Sequence, residues 1–187
     1  MSTIKITGTE TVDALARQVE GADARLLAQS LNRAMQPTRT KVRRALAGYT
    51  GAPYGRVSRV VTSKNATTGR LSYKIEAEDG WLPLSAFGAR EVRSGTSAAP
   101  YKVRRTFEGA FMQGGPIGAR VAAPGLNGQV FVRETDARLP IKKLWGPNIA
   151  REMVRPDEAP LEAWREDVGR LQEKILREVK RRIEAGV

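Results

Sequence analysis

The spacing of apolar residues changes twice along this chain, and these changes limit the folds that it can adopt. Apolar residues recur at helical spacing in segment 20–50, alternate with polar residues in much of segment 57–135, and return to helical spacing in segment 157–185. We therefore predict one α+β domain over residues 1–187, with a long N-terminal helix, a central antiparallel β-sheet with long loops, and a C-terminal helix.

The first helical pattern runs from about Val12 to Tyr49, and Thr9 is its candidate N-cap. Proline removes a backbone donor and clashes with the preceding turn, so Pro37 is expected to kink or break the helix. The apolar stripe that defines the pattern consists of Leu27, Leu31, Met35, Val42 and Leu46.

The clearest strand signal is "RLSYKIEAE", Arg70–Glu78, because apolar and polar residues alternate along it. Three further strands are expected in "WLPLSAF", "YKVRRTF" and "QVFVRE". The glycine-rich segment 113–128 reads as a loop, and its "GGPIG" lacks the Gly-Lys-Ser/Thr ending of a phosphate-binding loop.

The C-terminal helical pattern begins after Pro156, with Asp157 as its candidate cap. Its apolar stripe can pack on the sheet or on another subunit, and we favour docking within the chain. The stripe consists of Trp164, Val168, Leu171, Ile175, Val179 and Ile183.

Histidine and cysteine are absent from the sequence. Disulfides, thiolate nucleophiles and cysteine zinc sites are therefore excluded, and an enzyme would have to rely on carboxylates, lysine or tyrosine. We expect neither catalysis nor a cofactor. No apolar run approaches the roughly 18 residues of a membrane span, and the N-terminus lacks a signal-peptide core, so the sequence indicates an internal protein without a membrane partner.

Positive charge is concentrated in one part of the chain. Lys and Arg number 32 against 20 Asp and Glu, which gives a net charge of +12, and no acidic residue lies between Asp23 and Glu76. Such asymmetry favours a polyanion or an acidic protein surface as partner. The candidate contact residues are Arg39, Lys41, Arg43, Arg44, Arg56 and Arg59.

The acidic cluster Glu76, Glu78 and Asp79 is the one grouping that could serve metal binding or carboxylate chemistry. Its alternative interpretation is a solvated strand face that runs into a turn, which we favour because no further oxygen ligands surround it in sequence. Outside the cluster, the central region offers only isolated acids for a nuclease or glycosidase, chiefly Glu91, Glu108, Glu134 and Asp136.

Several segments in a fixed order give a more specific signal. They are "LAQSLNRAMQPTRTKVRRAL", "LPLSAFGAR", "GAFM", "GQVFVR" and "LPIKKLWGPNIA". Together they resemble the signature of the phage minor tail protein Z family, the tail-completion proteins of long-tailed phages. Asn148 stands where the family usually has serine, and Pro37 departs from its opening helix. The motif residues are Phe87, Gly88, Arg90, Phe111, Phe131, Arg133, Leu139, Pro140, Ile141, Trp145, Gly146 and Pro147.

The resemblance implies a structural virion protein in the tail or neck, assembled in the host cytoplasm. Such a subunit would form a homo-oligomeric ring at the head-proximal end of the tail and enable head–tail joining. Its implied partners are further copies of itself and neighbouring tail-terminator, tail-tube or head-connector proteins, with genomic DNA passing through the lumen. Segments 113–128 and 39–44 are the expected neighbour contacts.

Two other interpretations stay open at this point. A basic cytosolic nucleic-acid-binding protein would explain the charge but not the ordered motifs, and a carboxylate-dependent enzyme would need two convergent acids. Within the motif, Trp145-Gly146-Pro147 reads as a rigid turn that places Trp145 either in the core or at a binding surface. We favour the core.

Overall fold

The longest element of the fold is helix α1, Ala24–Thr50, seen in a computed structural model that describes residues 3–8, 23–115, 120–156 and 158–185. The Asp23 carboxylate caps its start by accepting a hydrogen bond from the Leu26 amide at 2.6 Å, and Gly51 ends it in the left-handed conformation. All five residues of the predicted stripe are buried, which confirms it. The expected Thr9 cap and the start at Val12 lie outside the described residues.

Of the two outcomes expected at Pro37, a kink or a break, the break is excluded, because α1 continues through Pro37 from Ala24 to Thr50. Proline removes the hydrogen bond that would reach the Arg33 carbonyl. Arg33 and Pro37 are both exposed, so water can satisfy that carbonyl. The opposite face of the helix keeps its packing across this point, because Met35 and Thr38 are buried.

All the strand pairs of the described residues are antiparallel, as predicted, but they form four small sheets in place of one central sheet. The first sheet has the order β1-β3-β2, with β1 Thr3–Gly8, β2 Val61–Lys64 and β3 Tyr73–Glu78. Its middle strand confirms the clearest prediction, since Tyr73, Ile75 and Ala77 are buried on one face. The short helix α2, Tyr54–Val60, connects α1 to this sheet.

The other strands are short, and turns separate them. They are β4 Trp81–Pro83, β5 Arg90–Val92, β6 Gly95–Ala98, β7 Arg105–Glu108, β8 Phe131–Arg133, β9 Ile141–Lys143 and β10 Trp145–Asn148. β4 pairs with β10, β8 pairs with β9, and β5, β6 and β7 form a sheet in that order.

Two predicted strands are shorter than expected because prolines start 3₁₀ turns inside them or next to them. In "WLPLSAF" the strand stops at Pro83, and Leu84–Phe87 forms a 3₁₀ turn. In "YKVRRTF" only the second half is a strand, because Tyr101 and Lys102 adopt left-handed backbone angles after Pro100.

The C-terminal region forms three helices: α3 Ile149–Met153, α4 Ala159–Gly169 and α5 Leu171–Glu184. The predicted C-terminal helix is present, but it is divided into α4 and α5 at Gly169-Arg170. The apolar stripe docks within the chain, as expected, and it packs mainly on α1. Trp164, Leu171, Ile175 and Val179 are buried, whereas Ile183 is exposed. The predicted cap, Asp157, lies outside the described residues, and Glu158 occupies the N-cap position.

The core lies between α1, the β1-β3-β2 sheet and the C-terminal helices, and these helices and antiparallel sheets confirm the α+β class. In the described part of the chain, no helix is both long and apolar enough to cross a membrane.

Candidate functional site

Four of the five segments that carry the family resemblance meet in one region of the structure, and the fifth, residues 27–46, lies in helix α1. Strand β4 pairs with β10, and the Leu84 amide donates to the Leu144 carbonyl at 3.1 Å. The Leu144 amide in turn donates to Val130 at 2.8 Å, and Phe111 and Phe131 exchange two backbone hydrogen bonds of 2.8 and 2.9 Å. Segments 82–90, 109–112, 128–133 and 139–150 therefore form one connected unit.

Phe87 and Gly146 form the centre of this unit. Phe87 is buried, and a Cβ atom added at Gly146 would lie 2.3 Å from its ring carbon Cε2. Only glycine allows β10 to approach the ring this closely. Gly88 ends the turn that carries Phe87 with a φ of 62°, which glycine adopts without strain.

The aromatic pair Phe111 and Phe131 forms the next part of the unit. Their ring centroids are 6.4 Å apart, and the Arg133 guanidinium lies 5.1 Å from the Phe111 centroid. The Arg133 side chain also donates to the Arg138 carbonyl, which ties the β8–β9 hairpin together. Arg90 is exposed on β5.

The Leu-Pro-Ile run leads from the hairpin loop into β9. The bond between Leu139 and Pro140 is cis. Both residues are exposed, with 67% of Leu139 accessible, and Ile141 is partly buried where it pairs with Arg133.

Trp145 lies at the surface, so the prediction that it fills the core is wrong. Half of the side chain is exposed, and Lys143 Nζ lies 4.2 Å from the ring centroid. The expected core position is filled by Phe87, which packs against the buried Gly146. Trp145 and Gly146 belong to strand β10, where a rigid turn was predicted.

Asn148 connects this unit to helix α3. Its side-chain oxygen accepts hydrogen bonds from the amides of Ala150 at 3.1 Å and Arg151 at 3.2 Å, and its amide donates to Asp79 at 2.6 Å. Asparagine and serine are both strong N-cap residues, so the departure from the family pattern keeps the same structural role.

An aromatic groove of about 270 Å³ opens on the outer side of the β4–β10 ribbon. Trp81 and Trp145 are half exposed at its edges, and Tyr101 and Phe107 approach from the neighbouring segment. The Tyr101 hydroxyl donates to Glu152 at 2.7 Å. Burial first, and this hydrogen bond second, raise the pKa of Tyr101 to about 12, so the phenol is neutral at physiological pH.

The basic run on α1 is largely committed to contacts inside the protein. Arg39 donates to the Ser63 hydroxyl at 3.1 Å, Arg43 donates to the Val61 carbonyl, and Lys41 forms an ion pair of 2.6 Å with Asp167. The first two contacts fix β2 against α1. External binding by these three residues stays a prediction.

Three other members of the predicted contact set, Arg44 on α1 and Arg56 and Arg59 on α2, make no such contacts. All three are exposed, and among the described residues none has a hydrogen-bond or ion-pair partner. They are therefore the members of the predicted contact set that are free to reach an external anion.

The acidic cluster does not converge on one point. Glu76 is buried and lies 3.0 Å from Lys64, Glu78 is exposed, and Asp79 accepts from Asn148. Glu91 binds the amides of Met112 and Gln113 at 2.5 and 2.8 Å. Within the described ranges no three acidic side chains form a group suited to a metal ion.

Sequence reasoning missed the most buried charged cluster, which is centred on Asp167 of α4. This carboxylate is 3% exposed and accepts from Lys41 at 2.6 Å, Lys174 at 2.9 Å and Thr38 at 2.7 Å. The sequence did contain a signal for this cluster. Asp167 lies three residues after Trp164 and four before Leu171, so it falls on the same helical face as these two buried apolar residues.

Comparison of the chain with known family models, with curated proteins and with solved structures gives no significant match.

Proposed function

We propose that this chain is a structural virion protein, a tail-completion or neck subunit at the head-proximal end of a phage tail that enables head–tail joining. One observation carries the proposal: four of the five segments that resemble the minor tail protein Z family form one connected unit around Phe87, Gly146 and the β4–β10 ribbon. If the similarity of these short segments were due to chance, nothing would require the segments to lie next to each other in the structure.

The chemistry of the remaining side chains fits an adhesive role better than a catalytic one. The sequence has no histidine or cysteine. Three of the carboxylates considered for enzyme chemistry, Glu76, Asp79 and Glu91, bind lysine, asparagine or backbone amides of the same chain. Exposed aromatic residues such as Trp81 and Trp145 are of the type enriched at protein interfaces.

In this role the partners are further copies of the chain in a ring, together with tail-terminator, tail-tube or head-connector proteins. Genomic DNA passes through the lumen of such a ring. Strong DNA adhesion would hinder this passage, so the proposal expects few DNA contacts.

The test is the mass of the purified protein in solution, measured at low and high salt, with and without short duplex DNA. The proposal predicts a closed ring, visible by electron microscopy, or a monomer that ignores duplex DNA at physiological salt. A monomer that shifts fully onto duplex DNA at physiological salt and leaves it as salt rises would contradict the proposal.

That contrary result would support the second candidate, a basic nucleic-acid-binding protein. The observation in its favour is the set of exposed arginines without partners in the described structure, Arg44, Arg56 and Arg59. Each phosphate that a protein neutralises releases counterions, so such binding weakens steeply with salt.

A further inference from the structure

The aromatic groove beside the β4–β10 ribbon has the composition of a binding hot spot. Trp81 and Trp145 are 53% and 50% exposed, which is unusual for side chains of their size. Tryptophan, tyrosine and arginine dominate the binding energy of protein interfaces. The groove is lined by Trp81, Leu84, Tyr101, Phe107, Trp145 and Pro147 among others.

The floor of the groove is held rigidly by the core. Gly146 lies against the buried ring of Phe87, and Leu84 is fully buried. Tyr101 is fixed on the side by its hydrogen bond to Glu152 and by an edge-to-face contact with Tyr49 at 5.7 Å. A preformed groove loses little conformational entropy when it binds, so more of the contact energy appears as affinity.

The rim of the groove is positively charged. Arg105 lines it and Lys143 lies over the Trp145 ring, and neither has an acidic partner among the described residues. Arg151 lies 5.6 Å from the Trp81 centroid, but it is also 3.8 Å from the Asp79 carboxylate. None of the described residues that line the groove is acidic. The nearby Glu152 is already bound to Tyr101 and Arg155.

These charges decide between the occupants that an apolar groove could accept. A second copy of the chain would bring a net charge of +12 toward a positive rim, which is unfavourable. Lys143 and Arg151 each lie over one face of a tryptophan, so at most one face of each ring is left for a stacked nucleobase. The half-exposed Trp81 and Trp145 offer contact surface to an apolar side chain, and the rim attracts carboxylates.

We propose that this groove binds an acidic, extended segment of a partner protein. One large apolar side chain of that segment enters between Trp81 and Trp145, and the flanking carboxylates pair with Arg105 and Lys143. This inference names the chemistry of a partner and does not depend on the tail-completion proposal or on ring formation.

The direct test uses the full chain and a synthetic probe, the fluorescein-labelled peptide Glu-Asp-Glu-Leu-Phe-Glu-Asp-Glu, with binding followed by fluorescence polarisation. We expect saturable binding by the unmodified protein. Trp145→Ala and Trp81→Ala should each weaken it at least about tenfold, since buried aromatic anchors carry much of the binding energy. Arg105→Ser should also weaken it and reduce its dependence on salt.

Two variants outside the groove serve as matched controls. Tyr54→Ala removes an aromatic side chain that is 44% exposed on helix α2, and Arg177→Ser removes an exposed charge on helix α5. Both should leave the affinity unchanged. Circular dichroism confirms that each variant is folded, and a probe with Ser-Ser in place of Leu-Phe tests the apolar anchor without altering the protein.

Three results would overturn the proposal. The first is equal affinity for the Leu-Phe and Ser-Ser peptides, which would reduce the interaction to general charge attraction. The second is single-stranded oligothymidylate binding more tightly than the peptide with the same dependence on Trp81 and Trp145. The third is no detectable peptide binding at about 50 mM salt, where charge attraction is strong. Ring formation is measured separately, so none of these results bears on the tail-completion proposal.

Discussion

At the scale of single residues, Gly146 shows how one missing Cβ positions the whole motif region. We predict that Gly146→Ala lowers the free energy of unfolding by about 1–3 kcal/mol, the usual cost of overpacking a core. The added carbon would lie 2.3 Å from Cε2 of the buried Phe87 ring, so either the ring or strand β10 must move. Urea unfolding followed by tryptophan fluorescence measures the change.

A control and a second variant separate this clash from a general effect of alanine. Gly125→Ala adds a Cβ with nothing within 4 Å, so its effect should stay within about 0.5 kcal/mol. Phe87→Leu shortens the side chain that would clash with the added carbon. The double variant with Gly146→Ala should therefore lose less free energy of unfolding than the two single variants lose together. Strict additivity would contradict the contact.

Trp145 illustrates why residue-level burial is hard to predict from sequence. A tryptophan between a Leu-Pro-Ile run and a Gly-Pro pair reads as a core residue, yet Phe87, from a distant segment, occupies that place. The competition between two aromatic residues for one site depends on tertiary packing, which local pattern does not contain. Asn148, in contrast, behaves as its N-cap preference predicts.

At the scale of elements, Asp167 joins the three helices α1, α4 and α5, and this joint should make stability depend on pH. Burial favours a higher pKa for Asp167, but hydrogen bonds from Lys41, Lys174 and Thr38 outweigh it and lower the pKa from 3.8 to about 2. A carboxyl whose pKa is lower in the folded state stabilises the fold above its unfolded pKa. This contribution, about 2 kcal/mol, should be lost as pH falls from about 4 to about 2.

Chemical unfolding at a series of pH values tests this contribution against two variants. Asp167→Asn removes the titrating group, so it should be less stable than the unmodified protein at pH 7, and the difference should shrink as pH falls from about 4 to about 2. Glu162→Gln, on the exposed side of α4, should follow the unmodified profile. A stability gap that persists unchanged down to pH 2 would contradict the assigned role of Asp167.

Elements with strong periodicity were predictable, and elements defined by turns were not. The stripe of α1 and the alternation of β3 match the structure because each depends on one buried face. The break at Gly169-Arg170 was missed because the apolar spacing continues across it from Trp164 to Leu171. At Pro37 a kink or a break was expected, and the break does not occur, because packing on the inner face of α1 outweighs one lost backbone bond.

At the scale of the whole molecule, the sequence was enough to predict the fold class and the uneven distribution of charge. It was not enough to predict which basic side chains make contacts inside the protein. The run from Arg39 to Arg44 looked like one binding patch. In the structure Arg39 and Arg43 both contact strand β2, and Lys41 is paired with Asp167. Which cations are free is a property of the assembled fold, because their partners come from other elements.

That division of the charge leads to a last prediction about non-specific polyanion binding. Replacing Arg44, Arg56 and Arg59 by serine lowers the net charge of +12 by three without removing a contact in the described structure. Affinity for duplex DNA at about 50 mM salt should fall, and the slope of log affinity against log salt should decrease by up to about 3, one for each lost phosphate contact. The free energy of unfolding should change little, whereas Arg43→Ser should lower it because the Val61 carbonyl loses its donor.

The matched control replaces Arg93, Arg138 and Arg177, three exposed arginines from other regions, and so removes the same net charge. A control that lowers the slope as much as the first variant would mean that the whole surface attracts the polyanion and that the acid-free segment has no special part in binding.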